Sequence, residues 1–212
     1  MKMSKLGRLA AAVLTTAVVG SAALVSTGGS ASAQDNVVYF SRTKVTYGQS
    51  LTIHGTTTAS SGNAKLYSKP YKGTWKLIRT DSSPSSFSWS VKPVKYTQFK
   101  VYVTGVGTTN PRGIKVARKL TRPAVHSRSK TISGKVSPRY KKRPVVIQKK
   151  KCNSCGWKVY KKVRTNKYSK WSVRIPVKKM KYRAVVGASN GLVKSYSPVQ
   201  QVIVTYGRPS LR

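Results

Sequence analysis

Along most of the chain, hydrophobic and polar residues alternate one for one. Trp75/Leu77, Phe87/Trp89/Val91 and Trp171/Val173/Ile175 fall on one parity, with Ser and basic residues on the other. A period of two is the mark of a strand that buries one face, so these positions are expected to point inward. Beyond the first 33 residues no stretch sustains a helical period, so the expected fold class is all-β. Gly, Pro, Ser and Asn punctuate the segments at intervals that suit a β-sandwich of about seven strands.

The pattern occurs twice, which matters more than any single segment. Leu51-Thr52-Ile53-His54-Gly55 answers Lys130-Thr131-Ile132-Ser133-Gly134. Ala64–Lys69 answers Val145–Lys150, and Gly73-Thr74-Trp75-Lys76 answers Cys155-Gly156-Trp157-Lys158. Thr80-Asp81 answers Thr165-Asn166, Phe87–Val91 answers Trp171–Ile175, and Phe99–Val103 answers Tyr182–Val186. Ile114-Lys115-Val116 closes the first copy and Val202-Ile203-Val204 the second. Two tandem sandwiches are therefore expected, at 34–119 and 124–206, with a short linker at 120–123 and a tail at 207–212. Ahead of them, Lys2, Lys5 and Arg8 precede an apolar run and an Ala31-Ser32-Ala33 site, which reads as an export signal over 1–33 cleaved after Ala33. An uncleaved anchor is the alternative reading of that segment.

Several stretches resemble the bacterial Ig-like repeats of secreted actinobacterial proteins. They are Val45-Thr46-Tyr47-Gly48-Gln49-Ser50-Leu51-Thr52-Ile53-His54-Gly55, the run from Trp75-Lys76 to Thr80-Asp81, Phe87-Ser88-Trp89-Ser90-Val91-Lys92-Pro93, and Tyr182-Arg183-Ala184-Val185-Val186-Gly187. The resemblance extends over nearly all of 37–206. It implies two immunoglobulin-like sandwiches in an extracellular, secreted or wall-associated protein, and no catalytic activity. The second copy departs from the pattern in its Cys-x-x-Cys insertion and its density of Lys.

Charge then changes the picture. The chain of 212 residues has 42 Lys+Arg against 2 Asp+Glu, a formal charge of +40. With Asp35 and Asp81 as its only carboxylates, paired-carboxylate catalysis, two-metal sites and calcium cages are excluded. The excess is uneven: residues 34–120 hold fourteen Lys/Arg and both acids, whereas residues 121–212 hold twenty-five and no acid. Solubility alone needs a net charge of only about 2–8 with both signs mixed, and unbalanced charge destabilises a compact state. The expectation is contact with a polyanion.

The basic residues expected to form one sheet face in the second module are Lys149, Lys150 and Lys151 at the end of one strand, Lys158, Lys161, Lys162 and Arg164 along the next, and Lys181 and Arg183 farther on. Lys141, Lys142 and Arg143 in the preceding loop extend it. Lys acts as a point charge where Arg reads planar anions, so its predominance favours non-specific binding. Expected partners are an anionic polymer or envelope surface, with non-specific nucleic acid among the candidates. The rival reading is an adhesion or structural protein that binds a protein partner and uses its charge for retention. Tyr160, between Lys158 and Lys161, is the best candidate for stacking.

Smaller constellations add little chemistry. Cys152-Asn153-Ser154-Cys155 falls in a hairpin turn and is expected as a local disulfide that pins it. Redox activity would call for a helix N-terminus. Zinc would need four ligands, and His54 and His126 lie in different modules. Asp81 reads as a turn former. No metal site, cofactor or catalytic residue is expected.

Overall fold

The computed structural model describes residues 37–176 and 178–202. The export segment 1–33, Asp35, the Ile203-Val204 end of the last expected strand and the tail at 207–212 lie outside the described residues. The fold is all-β, two tandem immunoglobulin-like sandwiches. In the first, β1 (Val37–Phe40), β3 (Leu51–Thr56) and β6 (Ser86–Val91) form one sheet. The facing sheet runs β2 (Lys44–Thr46), β9 (Arg112–Ala117), β7 (Thr97–Val103), β4 (Ala64–Pro70), β5 (Lys76–Asp81), with β8 (Gly107–Thr108) paired to β7. All pairings are antiparallel except β2 on β9.

The second sandwich repeats this plan. β12 (Thr131–Ser137) takes β10 (Lys119–Leu120) and β11 (Ala124–His126) along one edge and β15 (Lys170–Arg174) along the other. Opposite lies the sheet β14 (Lys158–Arg164), β13 (Pro144–Lys150), β16 (Met180–Val186), β17 (Ser195–Tyr196), with β18 (Gln200–Val202) also on β16.

Alternation in the sequence becomes alternation of burial. β3 reads buried, exposed, buried throughout, and β7 buries Phe99, Val101 and Val103. In the second core Ile132, Val145, Ile147, Tyr182 and Ala184 are fully enclosed. The shared Ile-x-Gly of the two halves has a steric reason. A Cβ on Gly55 would lie 2.5 Å from the Phe87 ring, and one on Gly134 would lie 2.7 Å from the Trp171 ring. Each glycine lets the aromatic of the paired strand lie flat over the backbone. Both turn residues after the edge strand act alike: Asp81 Oδ1 accepts from Ser83 N at 3.0 Å, and Asn166 Oδ1 accepts from Tyr168 N at 2.9 Å.

One expectation fails, and the second module shows the same geometry at the matching strand. Trp75 and Leu77 do not enter the core; Leu77 is 49% exposed, and Val159, its counterpart, is 57% exposed. The cause is a β-bulge at the same place in both repeats, between Leu66 and Tyr67 on β4 and between Ile147 and Gln148 on β13. An extra residue on the edge strand shifts its parity by one. Ile78 and Tyr160 therefore supply the apolar contact to the two cores instead.

The stretch at 120–123 read as a linker begins with Leu120, which is buried in the second core, and Thr121 donates its backbone N–H to Lys135 O. Arg118 alone separates β9 from β10. Across this junction Val193 N donates to Val116 O at 2.9 Å and Tyr96 N to Gly191 O at 2.6 Å. Gly191 has φ +73°, and a Cβ there would lie 2.7 Å from Tyr71 Cβ, so only glycine fits. The next residue, Leu192, belongs to the second module by sequence but is buried in the core of the first.

Tyr182 lies at the centre of the second core, and burial pushes its phenol up to about 12, with Tyr160 adding to the shift. A raised acid pKa stabilises the fold below the unfolded value of 10.0, and that contribution is lost as pH climbs toward 12. Thermal unfolding between those pH values should therefore fall more steeply for the wild type than for Tyr182→Phe, which has no proton to lose. Parallel curves would refute the assignment.

Candidate polyanion-binding surface

Along β13 the buried residues are Val145 and Ile147, so Val146, Gln148 and Lys150 face outward. Register carries this face sideways. Lys150 pairs with Lys181 and Gln148 with Arg183 on β16, while Val146 pairs with Lys162 and Pro144 with Arg164 on β14. Five of the expected cations thus share the outer face: Lys150, Lys162, Arg164, Lys181 and Arg183. Lys149, Lys158 and Lys161 belong to the same sheet but to its inner parity, because Lys149 pairs with buried Tyr182 and with Lys158, and Lys161 with buried Ile147. The single face expected for all of them is corrected to one sheet with cations on both sides. Parity decides this, since adjacent residues of a strand point oppositely. Lys141 and Lys142 are exposed in the loop before β13, and Lys151 is exposed in the turn after it. Arg143 turns toward the module junction, its guanidinium 6.0 Å from the Tyr140 ring.

The disulfide between Cys152 and Cys155 closes the β13–β14 turn. Inside that loop, Asn153 serves two lysines at once. Its backbone carbonyl accepts from Lys150 Nζ at 2.9 Å, and its side-chain oxygen accepts from Lys181 Nζ. The two ammonium groups are fixed side by side by one neutral residue.

Trp157 is the feature that the sequence reading missed. On the outer face the Arg183 guanidinium is stacked between two rings, 4.2 Å from Trp157 and 4.6 Å from Tyr196. Gln148 Oε1 accepts from Arg183 Nε at 2.8 Å and orients the stack. Lys150 lies 5.0 Å from the Trp157 ring, and Lys194 approaches Tyr196 at 5.7 Å. Burial lowers the Arg183 pKa from its ordinary value, and Tyr196 opposes that shift. The first module carries the same device in weaker form, with Lys100 at 4.8 Å from Trp75 and 5.6 Å from Tyr67. The signal was present in the sequence as the matched Trp75 and Trp157, with Lys100 and Arg183 at matched positions of the answering strands Phe99–Val103 and Tyr182–Val186. Tyr160, by contrast, is half-buried, donates its hydroxyl to Arg174 O at 3.0 Å, and meets Tyr182 edge-on under Lys149. It is not a free platform.

Asp81 is the sole carboxylate among the described residues. No group of three or more His, Cys, Asp or Glu that could hold a metal occurs among the described residues. His54 is exposed and stacks on Tyr39 at 5.3 Å, and His126 lies 2.8 Å from Ser133 Oγ.

No family model matches the chain. No curated protein matches it either. Among solved structures, the two-domain fibronectin type-III segment of chicken tenascin aligns at 11% identity and TM-score 0.46, covering 77% of this chain and 97% of that one. The BSP domain of a biofilm-associated protein aligns at 13% identity and TM-score 0.31, covering 81% of this chain and 30% of that one. A tetra-tandem repeat in the extending region of a large adhesion protein aligns at 13% identity and TM-score 0.32, covering 79% and 49%. At these scores none bears on function, and the fold rests on the strand pairings themselves.

Proposed function

We propose that the chain is an exported, non-enzymatic binding protein that contacts anionic polymers or surfaces through the outer face of the β14–β13–β16 sheet. A wall polymer, an acidic polysaccharide or extracellular nucleic acid has the required chemistry. The observation that carries this reading is the shared outward parity of Lys150, Lys162, Arg164, Lys181 and Arg183 in a module with no carboxylate. Ammonium and guanidinium groups held at register spacing present a fixed positive field, which raises the local concentration of polyanions and their rate of encounter. The first module, with about half the cations, serves as scaffold and weaker contact.

The test is elution of the full chain from heparin and from a phosphate resin. Reversing Lys162, Arg164 and Lys181 to Glu should move elution to markedly lower salt. The same change at Lys65, Lys69 and Lys72 in the first module should move it far less. Equal shifts, or passage through both resins at low ionic strength, would remove the reading.

A further inference from the structure

A second basic surface lies in a cleft of about 530 Å³ where the two modules meet, and Lys141, expected to extend the sheet face, lines this cleft. Tyr47 enters it from the first module; Lys135, Arg139, Lys141, Lys167 and Tyr168 enter from the second. The cleft exists because Arg118 is the only spacer: Tyr47 N donates to Ala117 O at 2.8 Å, which holds the ring beside the start of the second module. Its remaining lining residues are Val, Ser and Pro, so no carboxylate and no side-chain amide faces the space.

Tyr168 is the most exposed tyrosine among the described residues, at 62%. It is held in that position by its backbone. Its N–H donates to Asn166 Oδ1, and Ser169, the next residue, is buried and accepts at Oγ from Tyr140 N at 2.7 Å. Lys167 Nζ lies 5.1 Å from the ring, so one face of the tyrosine already holds a cation.

We propose that this cleft binds a segment of single-stranded nucleic acid, one or two nucleotides long. Four cations without a balancing acid supply phosphate contacts, and an exposed ring supplies the stacking surface that an unpaired base needs. The volume suits a ligand of that size. A duplex keeps its bases stacked internally and offers Tyr168 no free face. A neutral polysaccharide presents mainly hydroxyl groups, which are held by carboxylate and amide side chains, and the cleft has neither; an acidic polysaccharide, whose charges these cations would also take, is the outcome that the heparin comparison below reads. None of the five outer-face cations lines the cleft, and the proposal does not depend on their role.

The test compares two probes of equal charge, a short oligothymidylate and the same oligomer without bases, by fluorescence anisotropy on the full chain. Tyr168→Ala should weaken oligothymidylate binding roughly tenfold and leave the abasic probe unchanged, and Tyr168→Phe should behave as wild type. Lys141→Ala with Lys167→Ala should weaken both probes. Equal loss on both probes in Tyr168→Ala, or no loss on either, overturns the proposal, as does an equal loss of binding to heparin. Those results would leave the outer-face reading intact, since its variants do not touch Tyr168.

Discussion

Truncating Leu192 to Ala is expected to destabilise the first sandwich, although the residue belongs to the second. Its side chain is 6% exposed and sits in the buried cluster that contains Ile53, Leu66, Val101 and Val116. Removing a buried leucine costs about 2–5 kcal/mol, because the cavity it leaves closes only partly. A module of this size is held by roughly 4–12 kcal/mol, so a large share of its stability is at stake. The melting temperature should fall on the order of 10 °C or more. Amide exchange locates the effect: protection in β3 and β6 should drop, while Leu192→Met changes it little. If protection were lost only in β16 and β13, the cross-module contact would have no energetic weight.

Polyanion binding should collapse with salt, and this is the second large effect. Each neutralised phosphate releases condensed counterions, so the logarithm of affinity falls by about 0.7–0.9 per contact per decade of salt. Five contacts from Lys150, Lys162, Arg164, Lys181 and Arg183 would lower affinity by roughly a hundredfold or more between about 50 and about 200 mM salt. Titrating polyphosphate into the protein across that range measures the slope directly. A slope near one would mean that the face meets its ligand with a single charge. The triple reversal at Lys162, Arg164 and Lys181 should flatten the slope by about two to three units. Arg183 should resist substitution differently, because its guanidinium is stacked between Trp157 and Tyr196 and hydrogen-bonded to Gln148. Its replacement by Ala removes packing as well as charge.

Much of the fold was legible because burial here follows alternation. In β3, β6, β12 and β15 the buried residues all fall on one parity, and the duplicate set of segments gave two sandwiches without any contact information. Edge strands were where the reading failed. β5 and β14 are paired on one side only and each carries an irregularity, so Trp75 and Leu77 came out on the opposite face from the one expected, and Trp157 and Val159 lie as they do. Nothing local marks a bulge in Leu66-Tyr67 or Ile147-Gln148; it is a property of two strands, and a single sequence shows one at a time. The same limit applied to the cations. Lys149 and Lys150 are neighbours in sequence, yet one pairs with the buried Tyr182 and the other with Lys181. The junction was hidden for a different reason. Ser189-Asn190-Gly191-Leu192 reads as an ordinary turn, and the leucine has no periodic partners to betray that another domain's core receives it. The disulfide needed no tertiary knowledge, since three residues of separation in a turn already bring the sulfurs together.

Arg118, the single residue between β9 and β10, is one of two described residues with a buried side-chain nitrogen that lacks a partner. It is 4% exposed, and its backbone N–H donates to Ser195 Oγ at 2.7 Å. The guanidinium lies 4.5 Å from the Tyr140 ring and reaches Ser189 Oγ at 3.0 Å, while Nε finds no acceptor among the described residues. Burial pulls its pKa below the ordinary value, with Tyr140 opposing and Arg143 adding repulsion. Burying this cation costs hydration, which the Tyr140 ring and the Ser189 hydroxyl offset only in part. The hydrogen bonds Val193 N to Val116 O and Tyr96 N to Gly191 O, with Leu192 buried in the first core, tie the two halves together, so the pair is expected to bend little. A long flexible polymer that settles across both loses only its own freedom and none of the protein's. Each added point of attachment then costs less entropy than it would on a jointed pair, so grip should grow steeply with polymer length.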